Sequence, residues 1–194
     1  MSGVHDEPNN ATPLSPEETD DLIPSHVTLR RELNELEQQN ILEADAWVFG
    51  RKYNPVDESF GKRLHERMFG DVWKWAGTYR KSNKNIGVNY VEIQERLYAA
   101  LGNVRFWIDN KTYPPDEIAV RFHHALVLVH PFPNGNGRWS RLMADILVVW
   151  LGRRRFTWGR RNLRVDSTTR QTYVEALKAA DNHDFAALIT FVRS

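Results

Sequence analysis

A nearly all-α chain with a single β-hairpin is predicted, on three observations. Apolar residues recur at helical spacing through most of the 194 residues. Only residues 78–90 set β-branched and aromatic side chains on both sides of an Asn/Lys/Ser turn. And a polar stretch, His130-Pro-Phe-Pro-Asn-Gly-Asn-Gly-Arg138, separates two strongly apolar runs, 125–129 and 142–149. A glycine-bearing polar loop between two apolar helices needs a reason beyond turning the chain.

In chain order, residues 1–24 are rich in Pro, Asn, Asp and Glu without periodic apolar positions, and read as a flexible acidic arm. The rest, 25–194, reads as one domain with a core over about 58–192. Thr28 is the expected N-cap of a helix to about residue 49, with Leu33, Leu36, Ala44 and Trp47 on one side. Asn54-Pro55 breaks it. A second helix over about 57–69 carries Phe60, Leu64 and Met68 at i, i+4, i+8. Gly70-Asp71 then opens a short Trp73/Trp75 helix ending near Gly77. The hairpin, 79–90, follows. Helices are expected over about 91–108, from Pro114-Pro115 to His130, where Pro131 disfavours helical dihedrals, and over about 139–151. Residues 152–164 form a basic connector read as solvated surface, and helices near 167–180 and 183–192 close the chain.

Composition narrows the class. An apolar content of 41% with seven tryptophans supports a packed core, and the lack of cysteine excludes disulfides and thiolate metal sites. No secretory signal and no apolar run long enough for a membrane span is evident, so a cytoplasmic protein without membrane contact is expected. The net charge of +1 hides an asymmetry, because residues 1–24 hold six acidic residues and no Lys or Arg. The basic remainder allows nucleotide partners, whereas direct nucleic-acid binding rests on the arginine connector alone and is not expected.

The polar loop carries the chemistry. Glycines flanking one residue at a helix start let successive N–H groups converge, and the helix N-terminus adds unpaired donors. Arg138 lies on that first turn, where a cation is unfavourable by roughly 0.3–1 kcal/mol. Arg141 follows on nearly the same face. Two arginines set against the dipole above a glycine nest point to a phosphate chain. His130 titrates nearest neutral pH, and its place at a helix C-terminus is expected to favour its protonated form and strengthen it as a base. Base, anion hole and arginines together imply transfer of a phosphorus-centred group to a hydroxyl. His123 and His124 read as packing or surface residues; Trp73, Trp75, Trp107 and Trp150 read as core.

Residues 130–141 resemble the signature of Fic-domain proteins, His-x-Phe-x-(Asp/Glu)-Gly-Asn-Gly-Arg-x-x-Arg. The similarity spans about 28–192, and with the acidic arm and residues 33–38 it extends to the subfamily called mobile mystery protein B. The resemblance implies the Fic fold, a helical bundle with a hairpin flap beside the active-site loop. It implies a protein adenylyltransferase that moves AMP from ATP to a Ser, Thr or Tyr hydroxyl of a target protein, with Mg²⁺ bridging phosphates. His130 would then deprotonate the hydroxyl and Phe132 would anchor the loop. Gly135, Asn136 and Gly137 would form the phosphate hole, with Arg138 and Arg141 on the β- and γ-phosphates. Flap residues Lys84, Asn85, Ile86, Gly87 and Val88 would hold the target segment by strand addition. The subfamily implies a toxin and a separate antitoxin protein as partner.

Two positions depart from the pattern. Asn134 stands where relatives carry an acidic metal ligand, and a neutral amide is a poorer partner for Mg²⁺. A nucleotide-binding protein with weakened catalysis, or transfer of another phosphate-containing group, is therefore the alternative. Second, the inhibitory pattern (Ser/Thr)-x-x-x-Glu-(Gly/Asn) is met by Thr28 and Glu32 but not by Leu33. Glu32 is thus either a restraint on the motif or a first-turn acid on its own helix.

Overall fold

The two apolar runs beside the polar loop belong to helices that pack on each other, with Leu128 and Val149 left exposed. In the computed structural model, residues 13–160 and 168–194 are described. Their helices are α1 (Pro16–Thr19), α2 (Arg30–Phe49), α3 (Glu58–Phe69), α4 (Ile93–Asp109), α5 (Pro115–Val129), α6 (Asn136–Trp150), α7 (Thr168–Asp181) and α8 (Ala186–Arg193). α6 is buried on every side from Trp139 to Val148 apart from Arg141, as befits a helix packed all round. α5 lies against it, with α4 on the far side of α5; α2 and α3 pack on each other and on α6. The polar loop therefore joins the two most central helices.

Helix ends follow local chemistry. Asp57 caps α3 by accepting the Ser59 N–H at 3.1 Å, a bond of a type that stabilises by about 1 kcal/mol. Thr28 does not cap α2. Leu29 is the cap residue, and Glu32 Oε2 accepts its N–H at 3.4 Å. α6 begins three residues earlier than its apolar pattern shows, because Gly135 occupies the left-handed region (φ 78°) and starts the helix at Asn136.

Three other expectations are corrected. An isolated bridge joins Leu22 and Trp73, but no strand is formed at 79–90, so the β-hairpin is absent there. Side chains take the place of a ladder there: Arg80 donates to the Ser82 and Val88 carbonyls, and Asn83 Oδ1 accepts the Tyr90 N–H at 2.9 Å. The Trp73/Trp75 stretch is a run of turns rather than a helix. Helical geometry would put residues two apart on different faces, whereas the two indoles stack at 5.0 Å and both are buried. Trp150, at the end of α6, is 48% exposed and outside the core.

In the basic connector residues 152–155 are exposed, as expected of a solvated surface, but Arg155 is also tied down. Arg155 Nε donates to the buried Asp145 of α6 at 2.7 Å, while its terminal nitrogens reach Asp45 of α2. Residues 161–167, which include two of the connector's arginines, lie outside the described residues. The described part of the acidic arm also makes fixed contacts. Ile23 N–H donates to the Val72 carbonyl (2.9 Å), Lys74 N–H to Asp21 (3.0 Å), and the Trp75 indole to the Glu18 carbonyl (3.0 Å).

Candidate active site

Residues 130–141 are shaped from below. α5 ends at His130, which takes the left-handed conformation (φ 51°, ψ 60°) and still donates its N–H to Leu126 at 3.1 Å. Phe132 is fully buried among Tyr79, Trp139 and the His65 ring, which stacks on it at 3.6 Å. Asn136 closes the loop on itself: its Oδ1 accepts the Phe132 N–H (2.9 Å) and its Nδ2 donates to the Phe132 carbonyl (2.8 Å). The Asn136 amide is thus a brace. What it offers a phosphate is its backbone N–H, which with that of Gly137 lies in the first turn of α6 and has no intrahelical acceptor. Gly135 must be glycine twice over, since a Cβ there would sit 2.6 Å from the Phe69 ring.

One stripe of α3 supports the loop. Gly61, His65 and Phe69 lie at i, i+4, i+8, beside the Phe60/Leu64/Met68 stripe. Trp139 Nε1 donates to the Gly61 carbonyl at 2.9 Å. His65 Nδ1 accepts the Gly77 N–H (3.0 Å), which leaves Nε2–H to donate to the Asn134 carbonyl (3.1 Å). Burial, opposed by the Asn134 bond and helped by the Arg138 charge, brings this imidazole down to about 3. It is a neutral clamp. Sequence reasoning missed His65; the second i, i+4, i+8 stripe was the available signal.

Arg80 ties the flap loop to the motif. It is buried and donates from Nε to the His130 carbonyl at 2.7 Å and from its terminal nitrogens to the carbonyls of Ser82 (2.8 Å) and Val88 (2.5 Å). Its own N–H donates to Pro131 at 2.9 Å. Gly87 (φ 98°) lies against the catalytic candidate so closely that a Cβ would fall 2.5 Å from His130 Cβ. Asn85 and Ile86 are exposed, Val88 is half-buried, and the Lys84 side chain is covered. Arg80 was not singled out from sequence, because nothing in its neighbours distinguishes a buried arginine from a surface one.

His130 itself is 5% exposed. Its expected elevation at the helix end is reversed. Burial, then the Arg80 charge, bring it down to about 4, with Lys84 adding to the effect and a hydrogen bond to the Val127 backbone opposing it. Desolvation of a cation outweighs the helix dipole here. At neutral pH the ring is unprotonated and able to accept a proton.

The two motif arginines have different partners. Arg138 donates to Glu37 Oε2 of α2 at 2.6 Å and stacks over Phe69 at 4.7 Å. Glu37 is 4% exposed; its other oxygen accepts Trp73 Nε1 at 2.8 Å. Burial alone would raise this carboxyl, but Arg138 and the Trp73 bond hold it below the usual range. The Arg141 guanidinium lies over the Tyr173 ring of α7 at 6.0 Å, and the Tyr173 hydroxyl meets His123 Nε2 at 2.8 Å. His123 is fully buried and pushed down to about 3 by burial, so it positions Tyr173 as a neutral ring. It therefore belongs to the support of the site rather than to packing alone. Glu32 does not reach the motif among its hydrogen bonds; it caps α2, and Glu37 is the α2 carboxylate that does.

The donor set does not suit a protein-held Mg²⁺. No group of three or more His, Cys, Asp or Glu with metal-binding geometry occurs among the described residues. Asn134 offers a neutral amide whose Oδ1 already accepts the Gly135 N–H at 2.6 Å. A hard dication prefers carboxylates and phosphates to such an oxygen. An anion would instead find the helix-start N–H groups of Asn136 and Gly137, which lack intrahelical acceptors, and the Arg138 and Arg141 guanidinium groups.

A helical bundle whose central helix pair is joined by a base-bearing anion loop is the architecture of the Fic fold. Residues 55–148 match the model of the Fic/DOC family, and that stretch is a Fic domain. The N-terminal Fic domain of a VirB-translocated Bep effector protein from Bartonella quintana superposes with a TM-score of 0.68 at 18% identity, over 87% of this chain and 84% of that one. BepC from Bartonella tribocorum with bound AMPPNP gives 0.67 at 15% identity, over 92% and 97%. In sequence, "Protein adenylyltransferase Fic" of Aedes aegypti is 26% identical over 133 residues, 66% of this chain and 25% of that protein. "Protein adenylyltransferase fic-1" of Caenorhabditis elegans is 31% identical over 93 residues, 46% of this chain and 18% of that protein. The chain thus spans about a quarter or less of the length of these curated relatives. No described helix is long and apolar enough to cross a membrane.

Proposed function

We propose that this protein is an adenylyltransferase that moves AMP from ATP to a hydroxyl of a target protein. One observation carries the reading: a neutral, buried His130 is held at one end of a braced loop whose other end presents the first N–H groups of α6 and two arginines. In the reaction, the target Ser, Thr or Tyr oxygen attacks the α-phosphorus while His130 takes its proton. The bond from the α-phosphorus to the bridging oxygen breaks, and pyrophosphate leaves with the negative charge. Asn136 and Gly137 N–H groups, with Arg138 and Arg141, stabilise that charge where it develops. The names of the sequence relatives and the AMPPNP bound to a structural neighbour support ATP as donor. The test is transfer from α-labelled ATP into a cell lysate, with Mg²⁺ supplied. Label is expected on protein with wild type and lost with His130→Ala; equal labelling by both would rule this mechanism out.

Restraint of the site is assigned to Glu37 in place of Glu32, because Glu37 neutralises Arg138. A toxin role with a separate antitoxin partner rests on the subfamily resemblance, and co-purification with the product of an adjacent reading frame would test it. A second reading, nucleotide binding with weak turnover, is favoured by the Asn134 amide engaged on Gly135. Labelling that appears only in Asn134→Asp would establish it.

A further inference from the structure

The acidic arm and the flap meet at one lysine. Lys84 lies in the middle of the flap loop, whose other residues from 81 to 87 are exposed, yet its side chain is only 5% exposed. Lysine is almost never buried to that degree unless paired. The cover comes from residues 13–18: Lys84 Nζ donates to the Pro13 carbonyl at 2.9 Å and forms an ion pair with Glu18. Glu18 is itself fixed. Its carboxylate accepts the Ser15 N–H at 2.7 Å in a capping box around α1, and its carbonyl accepts the Trp75 indole. Lys84 also stands near enough to His130 for its charge to act on that ring. The flap backbone is next to His130 as well, through Gly87.

We propose that residues 13–18 occupy the target-docking face of the flap as an internal stand-in, and that target segments displace them by presenting an acidic side chain to Lys84. This rests on the AMP-transfer reading for what docks, but not for the clasp itself. Two features make exchange workable. The arm offers Lys84 one carboxylate and one backbone carbonyl, both of which an extended acidic segment can supply. And a displacing carboxylate would re-form the covered ion pair, so Lys84 is not left buried and unpaired. The flap would then select acidic neighbours of the modified hydroxyl, while the arm suppresses docking of neutral segments. Arg80 holds the flap base in either state, since its bonds do not involve the arm.

Amide exchange of residues 82–88 in the full chain, without nucleotide, tests the clasp. Glu18→Gln and Lys84→Gln are each expected to speed exchange about tenfold, and the double variant no further, because the two groups form one interaction. Unchanged exchange in Glu18→Gln would overturn the clasp. Selectivity is tested with two fluorescent peptides that carry a Ser followed by Glu or by Gln. The Glu peptide is expected to bind Glu18→Gln at least about fivefold tighter than wild type, and the Lys84→Gln variant is expected not to distinguish the peptides. Equal binding of both peptides by Glu18→Gln would overturn the assigned target class. If these shifts appear but no variant labels protein from α-labelled ATP, the docking inference is supported and the AMP-transfer reading fails.

Discussion

Two irregular loops meet at His130, and they are held in opposite ways. The motif loop, 131–135, is fixed from inside by Phe132 between rings, by the Asn136 brace and by the neutral His65 clamp. The flap loop, 81–88, is held mainly by two side chains. One buried arginine gathers its base, and one covered lysine ties its middle to the acidic arm. A phosphate site must stand ready before its ligand arrives, since preorganised donors stabilise charge without rearrangement. A surface that accepts segments of differing sequence must yield. On the proposed function, the same few ångströms would combine a rigid half for the nucleotide and a re-formable half for the target.

The largest test of this contrast is Phe132→Ala. Loss of a fully buried ring should destabilise by about 3–5 kcal/mol in denaturant unfolding and abolish ATP binding. A small stability loss would show that the loop is not fixed from below. Arg80→Ala should come next, at about 2–3 kcal/mol, since it strands carbonyls that now accept from a cation. Its mark should be faster amide exchange in 82–88 with that of 131–135 nearly unchanged; equal acceleration of both would merge the two loops into one unit.

Acidification sharpens the comparison further. His65, His123 and His130 are held at about 3, 3 and 4, all below the ordinary value of 6.5. The unfolded chain therefore takes up protons that the folded one refuses, so stability is full above pH 6.5 and falls as pH drops toward 4. Unfolding midpoints between pH 7 and 4.5 measure this. In an NMR titration, added ATP should move the His130 midpoint upward by its negative charge and leave His65 near its original value. A matching shift at His65 would mean that the rigid half rearranges with the nucleotide. The smallest expected effect is at Glu37. Glu37→Gln removes the charge that offsets Arg138 and should tighten ATP binding about tenfold, measured by calorimetry; weaker binding would make Glu37 a positioning residue for Arg138.

The rigid half was largely legible in the sequence, and the flap was not. Residues 130–141 combine a base, a nest and two arginines within a span that local geometry alone brings together. The helix start at Pro115 and the helix end at His130 were readable from proline chemistry, whereas the cap read at Thr28 falls at Leu29. What escaped was long-range. His65, Arg80, Glu37 and His123 act through partners that lie 36 to 101 residues away in most cases, such as Trp73 and Arg138 for Glu37. Nothing local marks such side chains. The strand pattern at 78–90 misled for a related reason: Arg80 and Asn83 satisfy backbone groups that would otherwise have paired across a hairpin. And His130 shows a local rule defeated by burial, since its place at a helix end predicts a raised imidazole where the enclosed site lowers it.

Mass spectrometry of a protein labelled by the full chain in lysate, with ATP and Mg²⁺, tests the proposed chemistry most directly. An adenylyl group on a Ser, Thr or Tyr oxygen, absent when His130→Ala replaces wild type, is the expected result. A bare phosphate on that residue, or an adenylyl group that persists without His130, would contradict it.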